Sequence, residues 1–219
     1  MALSASGPFP AISGLFTPIF QQPDIPTIAT ELCGFFLQHK WDIEISHLTS
    51  GYWYNSALQG QVRVDETYHN AYGSSLFDYT NISTTGAINN RMFTVNPSAG
   101  SPPVYFEAYI DSPGFPLITS NFLQSANATF GGIVNKPFLG HVQTWNLLLA
   151  DTISVIVYLD NGSIPIMQGY DFWGTDRRTK VVTRFWAHES ANISSEVFVD
   201  FPPLIKNSEP SMTSMRSRC

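Results

Sequence analysis

The chain has 219 residues, of which 43% are hydrophobic, 14% aromatic and 13% charged, with a formal charge of -6. The charged share is about half the usual one of roughly 25%, which excludes disorder over most of the length, and the acidic balance offers no basic footprint for nucleic acid. No run reaches the ~20 uninterrupted apolar residues of a membrane helix, so no transmembrane segment is expected and the chain reads as soluble.

The first residues, MALSASGPFPAISGLFTPIFQQP, have no basic stretch, and Pro8, Pro10, Gly14 and Pro18 interrupt the apolar one. No signal peptide is expected on this pattern. Residues 1–28 read as a proline-rich leader, 29–205 as one β domain, and 206–219 as a flexible polar tail. The tail carries Cys219, the partner in number to Cys33. Two cysteines make no disulfide scaffold, so stability is expected from packing alone.

In chain order, ATELCGFFLQ (29–38) has spacing compatible with a short helix behind Thr30. Trp41, Ile43 and Ile45 then alternate with Asp42, Glu44 and Ser46 as on a half-buried strand. GYWYNSALQGQVRVDE reads as a hairpin. Strands are predicted at 74–80, 87–95, 103–110, 140–149, 152–160, 163–172, 179–189 and 196–201; 118–127 is compatible with a second short helix, and both helical segments are equally compatible with irregular structure. Asp160-Asn161-Gly162-Ser163 predicts a type I′ turn, because Asn-Gly tolerates two positive φ angles. About ten short strands at roughly ten-residue spacing imply an all-β fold. We expect curved antiparallel sheets forming a sandwich or half-open barrel around a hydrophobic cavity, with one or two short helices.

Chemistry is sparse. There is no G-x-S-x-G, P-loop or dinucleotide fingerprint, and the five histidines lack metal-ligand spacing, so neither metal nor cofactor is expected. Asp65 and Glu66 are adjacent and would face opposite sides of a strand. His188 with Glu189 is the best acid–base pair for a small cyclase or isomerase. Sequons stand at Asn81, Asn127, Asn161 and Asn192, as candidate glycosylation sites or as turns that never meet a glycosyltransferase.

Large aromatics on predicted strands include Trp53, Phe77, Phe93, Phe106, Trp145, Tyr158, Phe185 and Trp186. They fit ordinary core packing or the lining of a ligand cavity. On the cavity reading, Phe77, Phe93, Phe106, Trp145, Tyr158 and Trp186 line it, and Tyr54, Arg63 and Arg184 orient a polar head. A one-residue register slip exchanges Phe185 with Trp186 as the inward group.

Three segments resemble, in order, the ependymin-related family. The first is the hairpin with Tyr54, Gln61, Val62, Arg63 and Val64. The second is VQTWN with Trp145, followed by TISVIVYLDNGSIP ending near Pro165. The third is TRFW (183–186) followed by SEVFVDFPP (195–203). The resemblance spans about residues 40–203 and implies a β protein with a hydrophobic cavity between curved sheets. Family members are usually secreted with several disulfides; here Cys33 fits the first cysteine position, and Asn161-Gly162 stands where a later one is expected. The functional expectation is non-enzymatic binding of a lipid or other hydrophobic small molecule. The alternative is a structural or interaction module, for which scarce lysine at strand edges makes a homodimer the candidate assembly. The cytoplasm is the expected compartment, with secretion as the alternative.

Overall fold

In a computed structural model, the structure describes residues 21–68, 71–96, 100, 102–111, 113–149, 152–174, 178–189 and 193–199, with only the backbone of 187–189. The strands are β1 (Glu31–Trp41), β2 (Ser46–Ser56), β3 (Gln61–Tyr68), β4 (Ala71–Ile82), β5 (Ile88–Val95), β6 (Val104–Ile110), β7 (Thr129–Lys136), β8 (Gly140–Leu149), β9 (Ile153–Leu159), β10 (Met167–Gly174) and β11 (Lys180–Glu189). One short helix, α1 (Phe122–Ser125), interrupts the series. All eleven strands form a single antiparallel sheet in the order β6-β5-β4-β3-β2-β1-β11-β10-β9-β8-β7. The sheet is curved and not closed, which is the half-open form of the expected all-β architecture.

This order creates a topological problem that the chain solves with one segment. β6 and β7 are consecutive in sequence yet occupy opposite edges. Laid flat, eleven strands would span about 48 Å at the usual interstrand spacing. Residues 111–128 must therefore cross a whole face of the sheet, and they become its cover. Phe115, Ile118, Leu123 and Ala128 from this crossing are buried among Leu32, Phe36, Trp53, Val62, Val64 and Phe185 of the inner face. Trp53 and Phe185 stack with ring centroids 4.4 Å apart.

Backbone groups of the crossing cannot join the sheet ladder, so side chains satisfy them. Asn55, with no exposed surface, accepts from the Ile118 N–H at 2.8 Å and donates through Nδ2 to the Ile118 carbonyl at 3.0 Å and the Thr30 carbonyl at 2.6 Å. Tyr79 donates to the Phe115 carbonyl at 2.7 Å, and Tyr170 donates to the Gly114 carbonyl at 2.9 Å. The β2 and β3 backbones approach closely at Gly51, where a Cβ would overlap the Asp65 carbonyl.

The outer face is covered separately. Ile193, Val197 and Phe198 pack over Cys33, Tyr54 and Leu76. Arg63 donates through Nε to Asp65 at 3.0 Å and through Nη1 to the Val197 carbonyl at 2.9 Å, and Ser74 donates to the same carboxylate. The cluster ties this strap to β3 and β4.

Several expectations change. Residues 31–41 are a central strand, not a helix, because both faces are covered: Leu32 and Phe36 inside, Cys33 outside. The Leu32–Phe36 spacing that suits a helix also suits one face of a strand. Ile43 and Ile45 lie in the β1–β2 turn at 70% and 49% exposure, because Asp42 Oδ1 accepts from the Glu44 and Ile45 N–H groups. The second helix shrinks to α1. At the β9–β10 connection, residues 160–166, Asp160 Oδ1 accepts from the Gly162 and Ile166 N–H groups. Neither Asn161 nor Gly162 takes a positive φ, so the type I′ turn does not form. Of the strand predicted at 196–201, the described part begins as a 3-10 turn at Ser195–Phe198, started by Ser194 accepting from the Glu196 N–H, and 200–201 lie outside the described residues. β7 was not anticipated, since Gly131 and Gly132 interrupt its apolar pattern. Cys33 is disulfide-bonded, which corrects the expectation of packing alone; Cys219 lies outside the described residues.

Asn55→Ala would leave the Ile118 N–H buried without an acceptor. Urea denaturation is expected to show a loss of roughly 2–3 kcal/mol at unchanged m value.

Candidate functional site

The crossing segment covers the inner face unevenly. Over β2–β4 it is sealed, but over β8–β11 and the end of β1 it leaves a cleft of about 810 Å³. Register explains its floor. Tyr170 pairs with Val157, and Phe172 with Val155 and Val181, so these inward side chains form parallel rows across three strands. Leu149 and Ile153 extend the rows toward the edge, while Phe122, Pro113 and Pro116 of the crossing form the roof.

Polar groups gather at one end. Gln38 donates to Thr183 Oγ1 at 3.0 Å and to the Tyr170 oxygen at 3.4 Å. Complete burial pushes the Tyr170 phenol up to about 12, with Thr183 and Gln38 opposing the shift. Tyr170 therefore remains a neutral donor, holding the roof through Gly114 across the working pH range. Gly169, beside it, occupies a bulge at φ +154, where a Cβ would strike the Thr183 carbonyl. The bulge places both Tyr170 and Met167 on the inner face.

None of the nine residues expected to bind ligand lines this cleft. Phe77 and Trp145 are sealed in the inner core, and Phe106, 53% exposed, stands on the free edge strand β6. Phe93 packs against Tyr72 and Tyr105 on the β4–β6 wing. Tyr54 and Arg63 belong to the outer cluster under the strap. Tyr158 donates to Asp171 at 2.6 Å, and Arg184 donates to the same carboxylate at 2.6 Å. Their pairing register with Gly169 sets both on the outer face, opposite the cleft. Burial raises the Tyr158 phenol, and the neighbouring Asp171 raises it further. Trp186 is outward, 45% exposed, with its ring 5.5 Å from that of Phe35. Phe185 is the inward member of the pair.

Several floor residues that sequence reasoning missed lie in strands it found. The run TISVIVYL contains Ile153, Val155 and Val157, and alternation alone marks them as inward. Their exposure to a cavity depends on where a distant segment ends, which no local pattern encodes.

Other candidates separate. His188 and Glu189 close β11 opposite Cys33 and Leu32, and their side chains fall outside what is described. Asn81 accepts from Tyr109 at 2.9 Å, Asn161 donates to the His141 carbonyl at 2.8 Å, and Asn127 takes a φ of 49°. Asn192 lies outside the described residues. Among the described residues no group of three or more His, Cys, Asp or Glu is placed to hold a metal ion, and no helix is long and apolar enough to cross a membrane.

No family model matches the chain, and no curated protein matches it. Among solved structures, a DUF1329 family protein from Desulfovibrio piger aligns with 78% of this chain and 90% of its own, at 6% identity and a TM-score of 0.37.

Glu66 faces inward beside Gly51 and Gly73, and burial raises its carboxyl above the usual range, partly offset by the Thr49 hydroxyl. A raised pKa means that the folded chain holds this proton more tightly than the unfolded chain. Its contribution to stability is complete below about 4.5 and is lost as pH rises through the folded value. Glu66→Gln is therefore expected to raise the Tm relative to wild type at pH 8 and to match it near pH 4 in paired thermal melts.

Proposed function

We propose that the protein binds a hydrophobic small molecule or lipid in the cleft between the crossing segment and β8–β11, without chemical turnover. The observation that carries the reading is an inner-face cavity of about 810 Å³ floored by Val155, Val157, Met167, Phe172 and Val181 beside a core of buried apolar side chains. The volume lies within the roughly 300–1,000 Å³ of small-molecule sites, which are mostly apolar with few polar groups. Each ligand methylene taken out of water contributes about 0.8 kcal/mol. The rigid roof, held by Asn55, Tyr79 and Tyr170, means that little ordering is left to be done on binding.

The ependymin-related resemblance supports the same reading. Its three segments fall on the β2–β3 hairpin, on β8 and β9, and on β11 with the strap. The disulfide at Cys33 supports the secreted alternative, since such bonds persist in oxidising compartments.

A second reading, a homodimer through sheet edges, is favoured by β6. Val104, Tyr105, Phe106 and Tyr109 there are each about half exposed or more, and the strand contains no Lys, Arg or Pro. Light scattering after size exclusion reads it directly; a monomer at high concentration removes it.

For the cleft, the probe is 1-aminoanthracene, a neutral fluorophore. Wild type is expected to enhance its emission saturably at micromolar concentration, and Ile153→Trp, which fills the cavity from a half-buried position, to weaken binding at least tenfold with an unchanged circular dichroism spectrum. Equal titration of both proteins would remove the cleft as the site.

A further inference from the structure

The cleft has a chemical polarity of its own. Among the described residues, its lining includes a single formal charge, Lys40, and no carboxylate. Lys40 stands on the inner face of β1, opposite Val181 of β11 and His47 of β2. Among the described residues, the acidic groups in ion pairs lie elsewhere: Asp65 with Arg63 under the strap, and Asp171 with Arg184 and Lys136 on the outer face. Lys40 takes part in none of these pairs, and it lines the same cleft as Val181, Phe172 and Val155. Among the described residues that line this apolar cleft, the Lys40 ammonium has no carboxylate beside it, and such a charge sets a local field that favours an anion.

The rows give the site a direction. Lys40 shares a row with Val181, Phe172 and Val155, and the next row toward the mouth holds Thr179, Gly174 and Ile153. The opposite end is closed by the Gln38–Thr183–Tyr170 hydrogen bonds. We infer that the ligand is a single-chain anionic amphiphile, its head on Lys40 and its hydrocarbon chain lying across β11, β10 and β9 under Phe122. The inference rests on the cleft being a binding site and adds which end of the ligand goes where and with what charge. A volume of about 810 Å³ suits one chain rather than several.

The test compares laurate, 1-dodecanol and dodecylammonium as competitors of 1-aminoanthracene on the full chain at neutral pH. These share a chain and differ in head charge. Laurate is expected to displace the probe at a concentration at least tenfold below that of dodecanol, with dodecylammonium weakest. Lys40→Met, which keeps the apolar stem, is expected to bring laurate down to the level of dodecanol while leaving dodecanol unchanged, and Lys40→Arg to restore the preference. Equal displacement by laurate and dodecanol in wild type, or a preference that survives Lys40→Met, would overturn the anionic head and leave the cleft as a neutral apolar site. Failure of all three to displace the probe would overturn both readings.

Discussion

The whole arrangement depends on fastening a polar chain across an apolar face. Because β6 and β7 end up at opposite edges, residues 111–128 must traverse the inner surface, where no strand offers backbone partners. Asn55 resolves this by using both ends of its amide: Oδ1 takes the Ile118 N–H, and Nδ2 reaches the Ile118 and Thr30 carbonyls. One side chain of β2 thus joins the crossing to the start of β1. Buried polar groups are costly unless fully partnered, and a fully partnered group selects one geometry over its near alternatives. Tyr79 and Tyr170 repeat the device from β4 and β10, so the roof is held at three points between Gly114 and Ile118.

Fixing the roof also determines where it does not reach. Toward β1, β2 and β4 the crossing is buried in the core, with Phe115 against Phe36 and under the Tyr79 hydroxyl and Ile118 held by Asn55. Over β8–β11 its prolines and Phe122 bridge above the floor, and the cleft is the remaining gap. The outer face shows the contrasting solution. There the Arg63–Asp65 pair accepts the strap through Val197, and the covering is tight. The two faces of one sheet therefore differ in kind: one has a packed strap, the other a bridged roof.

Much of this was legible in the sequence, and the failures have identifiable causes. β8 spans 140–149 as alternation indicated, with Val142 and Trp145 buried and Gly140 opening the strand. The β2–β3 hairpin was equally clear. β1 was misread because Leu32, Cys33 and Phe36 serve both helical and two-sided strand patterns, and its central place in the sheet decides between them. Val197 and Phe198 alternate like a strand but find a sheet face instead of an edge, so they settle into a 3-10 turn. The aromatic excess pointed to a cavity, yet Trp53, Trp145 and Phe185 fill the core, and Val155, Val157 and Val181 floor the cleft beside Tyr170 and Phe172. Large rings are the efficient fillers of a closed interior, and a gap is left where chain connectivity keeps a second layer from descending.

The central claim is that the cleft holds an apolar ligand under a roof that the sheet keeps rigid. Native mass spectrometry of the full chain, freshly purified and followed by analysis of its organic extract, tests it most directly. The account expects a bound species of near-stoichiometric occupancy that leaves with the organic phase and is carried no longer by Ile153→Trp. A bare chain that stays bare after incubation with laurate, dodecanol and dodecylammonium would contradict it.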